Sequence, residues 1–202
     1  MAERGRYKKS EASKRQVVEA AITALARRGF AHTSVNDIAA AAGMSKGAVH
    51  YHFPRKADLI AHVLERCLEV THDRLRASWD APGSPTDKIR RALREMRERW
   101  RDGGAELRVV ADLMAQGVHD EKLRQPVAAM FQKTRGELIR NLLDSLTAMG
   151  LKPKIPPHII PRLLLATFDG LALHDFFDPP SELDHEQILR AIEVIAFLLF
   201  EI

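Results

Sequence analysis

The chain has 202 residues, of which 46% are hydrophobic and 29% are charged, so it holds enough apolar material for one or two compact units and is charged like a water-soluble protein. No apolar run approaches the length of a membrane-spanning helix, and the basic N-terminal segment lacks the apolar stretch typical of a secretory signal. The single cysteine, Cys67, excludes an intrachain disulfide framework and favours a reducing compartment, so we expect a cytoplasmic protein with no membrane partner.

Positive charge is concentrated towards the N-terminus. Residues 1–56 contain 11 lysines and arginines against 4 acidic residues, a net charge of +7. Residues 57–202 contain 20 lysines and arginines against 23 acidic residues, a net charge of −3. Such a basic segment is typical of a surface that binds nucleic acid, and a solvated tail is the alternative. Residues 1 to about 10 have no periodicity and are predicted to be a disordered arm, which either follows a phosphate backbone or stays unattached.

The first predicted helix begins at Ser10 or Ser13 and ends near Arg28. Its buried face follows from apolar residues at the i, i+3, i+4 and i+7 positions, which are Val18, Ala21, Ile22 and Leu25. Gly29 is predicted to end this helix. Phe30 is then expected to fill the core of a small three-helix domain.

Two short helices come next, with a glycine between them. Thr33 or Ser34 is predicted to cap the first of them, and Gly43 to end it, because glycine adopts the left-handed conformation without steric cost. Ser45 is predicted to cap the second, which covers residues 46–53. The outer side of this second helix carries Lys46, Gly47, His50 and Tyr51. These residue types suit the edges and backbone of duplex DNA, which predicts a helix-turn-helix that enters the major groove.

Residues 12–65 also contain a set of fixed spacings: Gly29-Phe30, Thr33-Ser34-Val35, Ile38-Ala39, Gly43 to Gly47, Tyr51-His52-Phe53, Lys56 and Leu59. These resemble the N-terminal signature of the TetR family of transcriptional regulators. Ala48 and His50 depart from the threonine and the aromatic residue that are common there, which bears on the operator sequence rather than on the family. The resemblance implies that Lys46, Gly47 and His50 face the bases of an operator in double-stranded DNA. It also implies phosphate contacts from Thr33, Ser34, Ser45, Tyr51, His52 and Lys56.

The rest of the chain is predicted to be helical. A fourth helix from about Arg55 to Ser78 is long enough to link the small domain to the C-terminal part of the chain. The clearest break lies at residues 80–85, and Ser84-Pro85-Thr86-Asp87 predicts the next helix start. The charged residues between Arg90 and Arg99 are predicted to form a solvated face. Two more helices are predicted after this one, the second kinked or restarted at Gln125-Pro126, and no strand pattern appears.

The last two predicted helices, residues 158–177 and 184–201, are apolar around much of their circumference, and Asp184 is expected to cap the second. A helix with a second apolar face must bury it, which predicts a homodimer through these helices, as the resemblance also implies. The whole prediction is an all-α chain. Residues 1–56 form an N-terminal three-helix helix-turn-helix DNA-binding domain. Residues 57–202 form a C-terminal helical bundle for dimerisation and effector binding, with 57–79 as the linking helix.

The resemblance further implies a pocket for a largely apolar small-molecule effector in the C-terminal bundle. Inward candidates at helical spacing are Met96, Trp100, Met114, Phe131, Thr134 and Phe168. Each of these residue types is more often ordinary core than the wall of a ligand site.

Motifs of known catalytic and metal sites such as HExxH, CxxC and a phosphate loop are absent from the sequence. We therefore predict no catalytic residues, no metal and no cofactor. The predicted function is a repressor that a small-molecule effector releases from a palindromic operator. An activator or effector-blind regulator on the same fold, and a helical protein-interaction module, remain alternatives.

Overall fold

The computed structural model describes residues 2–101 and 104–201, apart from the side chains of residues 2–9, 70, 71, 74, 99–101, 142, 143 and 145. It confirms the all-α class. The helices are α1 (Ala2–Arg28), α2 (Val35–Ala41), α3 (Lys46–His52), α4 (Lys56–Asp80), α5 (Pro85–Arg101), α6 (Ala105–Gly117), α7 (Glu121–Ala148), α8 (Ile160–Phe177) and α9 (Glu182–Leu198).

Serine side chains cap several of these helices. Ser34 Oγ accepts the Asp37 N–H at 3.2 Å and Ser45 Oγ accepts the Ala48 N–H at 3.1 Å, which confirms the predicted starts of α2 and α3. Ser84 and Asp87 exchange hydrogen bonds before α5, as predicted. For α9 the predicted cap was wrong, because Ser181 is the cap and its Oγ accepts the Asp184 N–H at 3.2 Å.

Two further predictions concern the continuity of helices. The backbone of residues 2–10 is not disordered but continues α1, since alanine, glutamate, arginine and lysine, which dominate this segment, have high helix propensity. Helix α7 runs through Pro126 with one backbone hydrogen bond fewer, so the predicted restart at Gln125-Pro126 was wrong, while the alternative, a kink there, stays a prediction.

The structure contains a short strand pair that was not predicted. Lys152–Pro153 (β1) pairs antiparallel with Phe200–Glu201 (β2), and Lys154 donates its backbone N–H to Leu199 O at 2.8 Å. Two-residue strands are too short to leave an alternating pattern in a sequence. The pair joins the loop before α8 to the chain that comes after α9.

The chain forms two compact units that do not follow chain order. The first comprises Met1–Leu68 and Gly104–Met130, and the second comprises Glu69–Gly103 and Phe131–Ile202. The chain therefore passes from one unit to the other within α4, before α6 and within α7. The predicted domain boundary after residue 56 separates the residues expected to bind DNA from the rest of the chain, and it stays a prediction. The packing boundary lies further along α4, and it groups α6 with the helix-turn-helix.

The first unit has an apolar core to which α1 contributes its predicted face. Helix α1 packs against α2, α3 and α6. The predicted residues Val18, Ala21, Ile22 and Leu25 are all buried. Other helices of this unit bury Ile38, Val49, Leu59 and Leu113. The helix-turn-helix therefore rests on a core that extends beyond three helices.

In the second unit, α5 packs against α8 and α9. Its apolar face enters a core formed by Ile89, Leu93, Met96, Leu138, Ile160, Phe168 and Ile192, among others. The charged side of α5 was predicted to be solvated, and this was wrong for Arg97, which is buried. Three arginines of this side, two of them exposed, form ion pairs with other helices. The pairs are Arg90–Glu193, Arg94–Glu186 and Arg97–Asp175. A helix pattern shows which residues are charged but not which of them meet a neighbouring helix.

Candidate nucleic-acid interface

Hydrogen bonds on two sides hold the turn between α2 and α3. Gly43 has a φ of +63°, as predicted for the residue that ends α2. The Met44 N–H donates to Ala39 O at 2.9 Å, and Gln16 Nε2 of α1 donates to Ala42 O at 2.8 Å. The last carbonyls of α2 thus receive partners from the turn and from α1, which fixes where α3 begins.

Helix α3 has a buried and an exposed side. Val49, together with Phe53 at the C-terminal cap, is buried. The exposed side carries Lys46, Gly47, His50 and Tyr51, and Tyr51 is 80% exposed. A Cβ atom on Gly47 would meet only Ser45 Oγ at 3.9 Å. The fold therefore does not require glycine here, and its absent side chain leaves the backbone of α3 open to close approach.

The residues predicted to contact phosphates fall into two groups. Ser45, Tyr51 and His52 lie on α3 or at its cap, the first two exposed and the third half-buried. The Thr33 side chain is 2% exposed, and its hydroxyl donates to Gly29 O at 2.7 Å. A buried hydroxyl whose proton is committed cannot donate to a phosphate, so the structure does not support a side-chain contact from Thr33.

Ser34 is also engaged within the chain. Its backbone N–H and its hydroxyl donate to Asp37 Oδ2 at 2.8 and 2.6 Å, and Arg28 Nη1 donates to Asp37 Oδ1 at 2.7 Å. These interactions lower the pKa of Asp37 from 3.8 to about 2, and the side-chain hydrogen bond from Ser34 is the largest cause. The hydroxyl proton of Ser34 is therefore committed to a carboxylate, and Ser34 acts as a helix cap.

Lys56 holds the turn between α1 and α2. Its Nζ donates to Phe30 O at 3.2 Å and to Thr33 O at 2.6 Å, and it lies 3.9 Å from the centroid of the Phe30 ring. Partial burial lowers its pKa. The ammonium group has three donors, and two of them bind these carbonyls. The position of Lys56 thus fits a structural role more closely than the phosphate contact predicted for it.

A residue from α6, which the sequence did not single out, binds the same turn. The Phe30 N–H donates to Asp112 Oδ2 at 2.5 Å. Gly29, with a φ of +74°, lies beside this carboxylate, and a Cβ atom there would stand 3.4 Å from Asp112 Oδ2. The two partners are 82 residues apart, and no local pattern links them. The carboxylate ties α6 to the segment from which α2 and α3 start.

The residues predicted to line an effector pocket do not form one group. Met96 lines a small apolar cavity of about 30 Å³ in the second unit. Phe168 and Thr134 are buried and Phe131 is half-buried in the same unit. Met114 belongs to the first unit, and the side chain of Trp100 lies outside the described residues. A cavity of this size is far below the roughly 300 Å³ of ordinary ligand sites, so a predicted effector would have to displace side chains.

A larger cavity, of about 350 Å³, lies between α5 and α9 and is lined mostly by charged residues, among them Arg90, Arg94 and Glu186. None of the helices in the described part of the chain is both long and apolar enough to cross a membrane. The described residues contain no group of three or more His, Cys, Asp or Glu side chains placed to hold a metal ion. A capped two-helix turn with an exposed, basic second helix is the geometry of a helix-turn-helix DNA-binding protein.

Comparison with known families agrees with this class. The family model of bacterial regulatory proteins of the tetR family matches residues 17–63, and that of the C-terminal domain of BetI-type transcriptional repressors matches residues 85–196. The second match alone covers more than half of the chain. The chain belongs to the TetR family of bacterial regulatory proteins.

Individual relatives match different parts of the chain. The regulator TtgR of Pseudomonas putida is 43% identical over 70 residues, which are 34% of this chain and 33% of TtgR, so the chain spans about a third of that relative. CymR of Pseudomonas putida is 26% identical over 83% of this chain and 81% of CymR. A TetR-family regulator from Rhodococcus sp. of known crystal structure superposes with a TM-score of 0.76, at 25% identity over 92% of this chain and 99% of that one.

The lowered pKa of Asp37 predicts a defined loss of stability in acid. Because its folded-state pKa of about 2 lies below the ordinary 3.8, its carboxylate adds stability that is complete above about pH 4 and disappears as the pH falls towards 2. We expect the difference in the free energy of unfolding between wild type and Asp37→Asn to shrink over this range in urea titrations. A difference that stayed constant with pH would contradict the assigned hydrogen bonds.

Proposed function

We propose that the protein is a ligand-responsive repressor that binds duplex DNA as a dimer, each subunit contacting one half of a roughly palindromic operator. The observation that carries this proposal is the exposed face of α3, a capped helix whose other face is anchored in the first unit. Such a helix fits the major groove of B-DNA. The match of residues 85–196 to BetI-type transcriptional repressors supports repression.

In this proposal the outer residues of α3 make different contacts with DNA. Lys46 donates to base edges, His50 offers ring nitrogens, and Gly47 admits a close approach of the backbone. Ser45, Tyr51 and His52 contact phosphates, which fix the register of the protein on the duplex. Thr33, Ser34 and Lys56, whose polar groups are used within the chain, position α3 instead of binding DNA.

A second copy of the chain is proposed to cover the outer faces of α8 and α9. These helices bury Phe168 and Ile192 inside the second unit, yet they also expose large apolar side chains: Leu163, Leu173, Phe176, Phe177, Val194, Ile195 and Leu198. Pairing of both helices with those of a two-fold partner would bury this surface in a four-helix bundle. Two α3 helices would then contact successive major grooves, about 34–36 Å apart.

The effector is proposed to act by changing that separation. Helices α4 and α7 each run through both compact units, so a shift of either helix in the second unit is transmitted along a continuous backbone. Asp112 adds a route through α6, because it holds the turn that leads into the helix-turn-helix. A coupling of about 1–3 kcal/mol would change operator affinity by roughly 5–150-fold.

The alternatives make different predictions. An activator or effector-blind regulator would bind the same DNA and differ only in reporter assays. A protein-interaction module would show little DNA affinity and no steep dependence on salt. The relatives are named as transcriptional regulators and not as enzymes. That this chain lacks catalytic activity, metal and cofactor, and that it acts in the cytoplasm, remain predictions.

Substitutions on α3 should separate base contacts from general DNA affinity. We expect Lys46→Ala and His50→Ala each to weaken operator binding by about 1–3 kcal/mol and to reduce discrimination against other sequences. Fluorescence anisotropy with DNA flanking the protein's own gene, excess competitor DNA and a salt series measures this. Lys122→Ala, which removes an exposed lysine of α7, is the control. Wild-type behaviour of both α3 variants would mean that α3 is not the recognition helix.

A charge on the outer face of α9 should disrupt the proposed dimer. We expect Val194→Asp to shift the protein towards monomer in sedimentation equilibrium and to weaken operator binding, because an unpaired carboxylate is costly to bury. Val118→Asp changes a residue of similar exposure, 65% against 59%, in the first unit, and should leave the dimer intact. If Val194→Asp remained dimeric, the interface would lie elsewhere.

Removal of the Asp112 carboxylate should affect both stability and DNA binding. Asp112→Ala leaves the Phe30 N–H without its acceptor, which costs about 1–3 kcal/mol, whereas Asp112→Asn retains an acceptor oxygen. We expect the alanine variant to bind the operator more weakly than the asparagine variant under conditions in which both are folded. Asp120→Ala, which removes a carboxylate at the start of α7, is the control. Equal operator affinity of the two Asp112 variants would exclude a role for this contact in positioning α3.

A further inference from the structure

The second unit contains a fully buried arginine. The side chain of Arg97 on α5 is 0% exposed, and its Nη1 forms an ion pair with Asp175 of α8. Arginine keeps its charge at every accessible pH and offers five N–H donors. Burial of such a group is costly unless good partners surround it.

Asp175 accounts for only part of this side chain. Among the described residues, Nε and Nη2 of Arg97 have no hydrogen-bond partner, and neither does the buried Nε1 of Trp79. The buried polar side-chain atoms left without a partner in the described structure are all nitrogens, and those of Arg97 and Trp79 can only donate. What these donors lack is therefore an acceptor, and buried donors without one require an explanation.

The positions of the unused N–H groups of Arg97 indicate which kind of acceptor would fit them. The Nε–H and Nη2–H groups of a guanidinium are nearly parallel on one edge, and their spacing matches the two oxygens of a carboxylate. Asp175 forms its ion pair at Nη1, and since none of the three guanidinium nitrogens has a hydrogen-bond partner in the described structure, this edge is open. The acidic side chains nearby retain contact with water, since Asp175 is 14% and Glu98 35% exposed. The guanidinium can thus take a second carboxylate while the first remains partly solvated.

Neighbours of Arg97 on α5 line the apolar cavity of the second unit. Leu93, one helical turn before Arg97, and Met96 both line the small apolar cavity of the second unit. The cavity continues with Leu164 and Phe197, and Trp79 forms part of its wall. Methionine and leucine side chains can rearrange around an inserted apolar chain. A molecule whose charged end lay on Arg97 would therefore find an apolar wall one turn away.

From these observations we propose that the effector is an apolar carboxylic acid. Its carboxylate binds the Nε/Nη2 edge of Arg97, and its apolar body widens the cavity beside Leu93 and Met96. This inference rests on the proposed function, in that it names the chemical class of the effector, but it makes a claim about binding that can be tested without DNA.

The test is calorimetric titration of the protein, without DNA, with hexanoate, octanoate, decanoate and 3-phenylpropanoate. The matched neutral and cationic probes are methyl octanoate, 1-octanol and octylamine. We expect at least one acid to bind and octanoate to bind at least about tenfold more tightly than its ester, alcohol and amine, since charge-assisted bidentate bonds are strong. No binding by any acid, or equal binding of octanoate and its methyl ester, would overturn the proposal.

Two lysine variants assign the binding to Arg97. Arg97→Lys keeps the charge beside Asp175 but removes the two-donor edge, and it should weaken acid binding by about tenfold or more. Arg94→Lys alters an exposed arginine of the same helix that is paired with Glu186, and it should bind acids like the wild type. Circular dichroism and thermal unfolding verify that both variants fold. Unchanged acid binding by Arg97→Lys would overturn the assignment.

Operator binding with and without the acid then separates this inference from the proposed function. An acid that binds through Arg97 but does not change operator affinity would support the site and contradict effector control. Intact, salt-dependent operator binding by a protein to which no acid binds would contradict the site alone.

Discussion

The orientation of α3 depends on how the chain turns from α1 into α2, and groups from three parts of the sequence hold that turn. Asp112 accepts the Phe30 N–H, Lys56 donates to the carbonyls of Phe30 and Thr33, and the Thr33 hydroxyl donates to Gly29 O. A backbone group that loses its partner in a buried site costs about 1–3 kcal/mol, and these bonds are partly buried, so they favour one arrangement of the turn. Because one of these groups lies on α6, the surface proposed to bind DNA is not an autonomous N-terminal domain. It shares its support with a helix that occurs much later in the chain.

In the second unit, ion pairs between helices accompany the packing of the apolar core. Its helix α5 is built with an apolar side that enters the core and a basic side whose arginines meet acids on α8 and α9. The exposed pairs contribute little on their own, but Arg97 is buried, and a buried charge is costly without close partners. The same helix also borders the small apolar cavity. A cation and an apolar wall one turn apart form an amphipathic environment inside a helical bundle, which suits a ligand with one charged end.

Much of the fold could be predicted because it follows from local physics. The serine caps of α2, α3 and α5, the glycine that ends α2, and the apolar face of α1 each depend on residues within one or two helical turns. The same reasoning separated Val49, which is buried, from Tyr51, which is exposed. Local reasoning failed for α9, where Ser181 lies three residues before the expected cap, and for the first residues of α1, whose lack of periodicity predicts a disordered arm. It also failed for the strand pair, which is too short to show a pattern.

The sequence by itself determined the helical class, the helix-turn-helix and the outer face of α3, because helix periodicity and capping are encoded by residues close together in the chain. Only the tertiary structure decided what the individual polar side chains do. A threonine or lysine near a DNA-binding helix has the same chemistry whether it meets a phosphate or a backbone carbonyl, and Thr33 and Lys56 meet carbonyls. Likewise, Arg97 is one of several arginines on α5, and its burial depends on where α8 packs. Partners that lie 82 residues apart, such as Phe30 and Asp112, leave no local signal, because their contact results from the packing of whole helices.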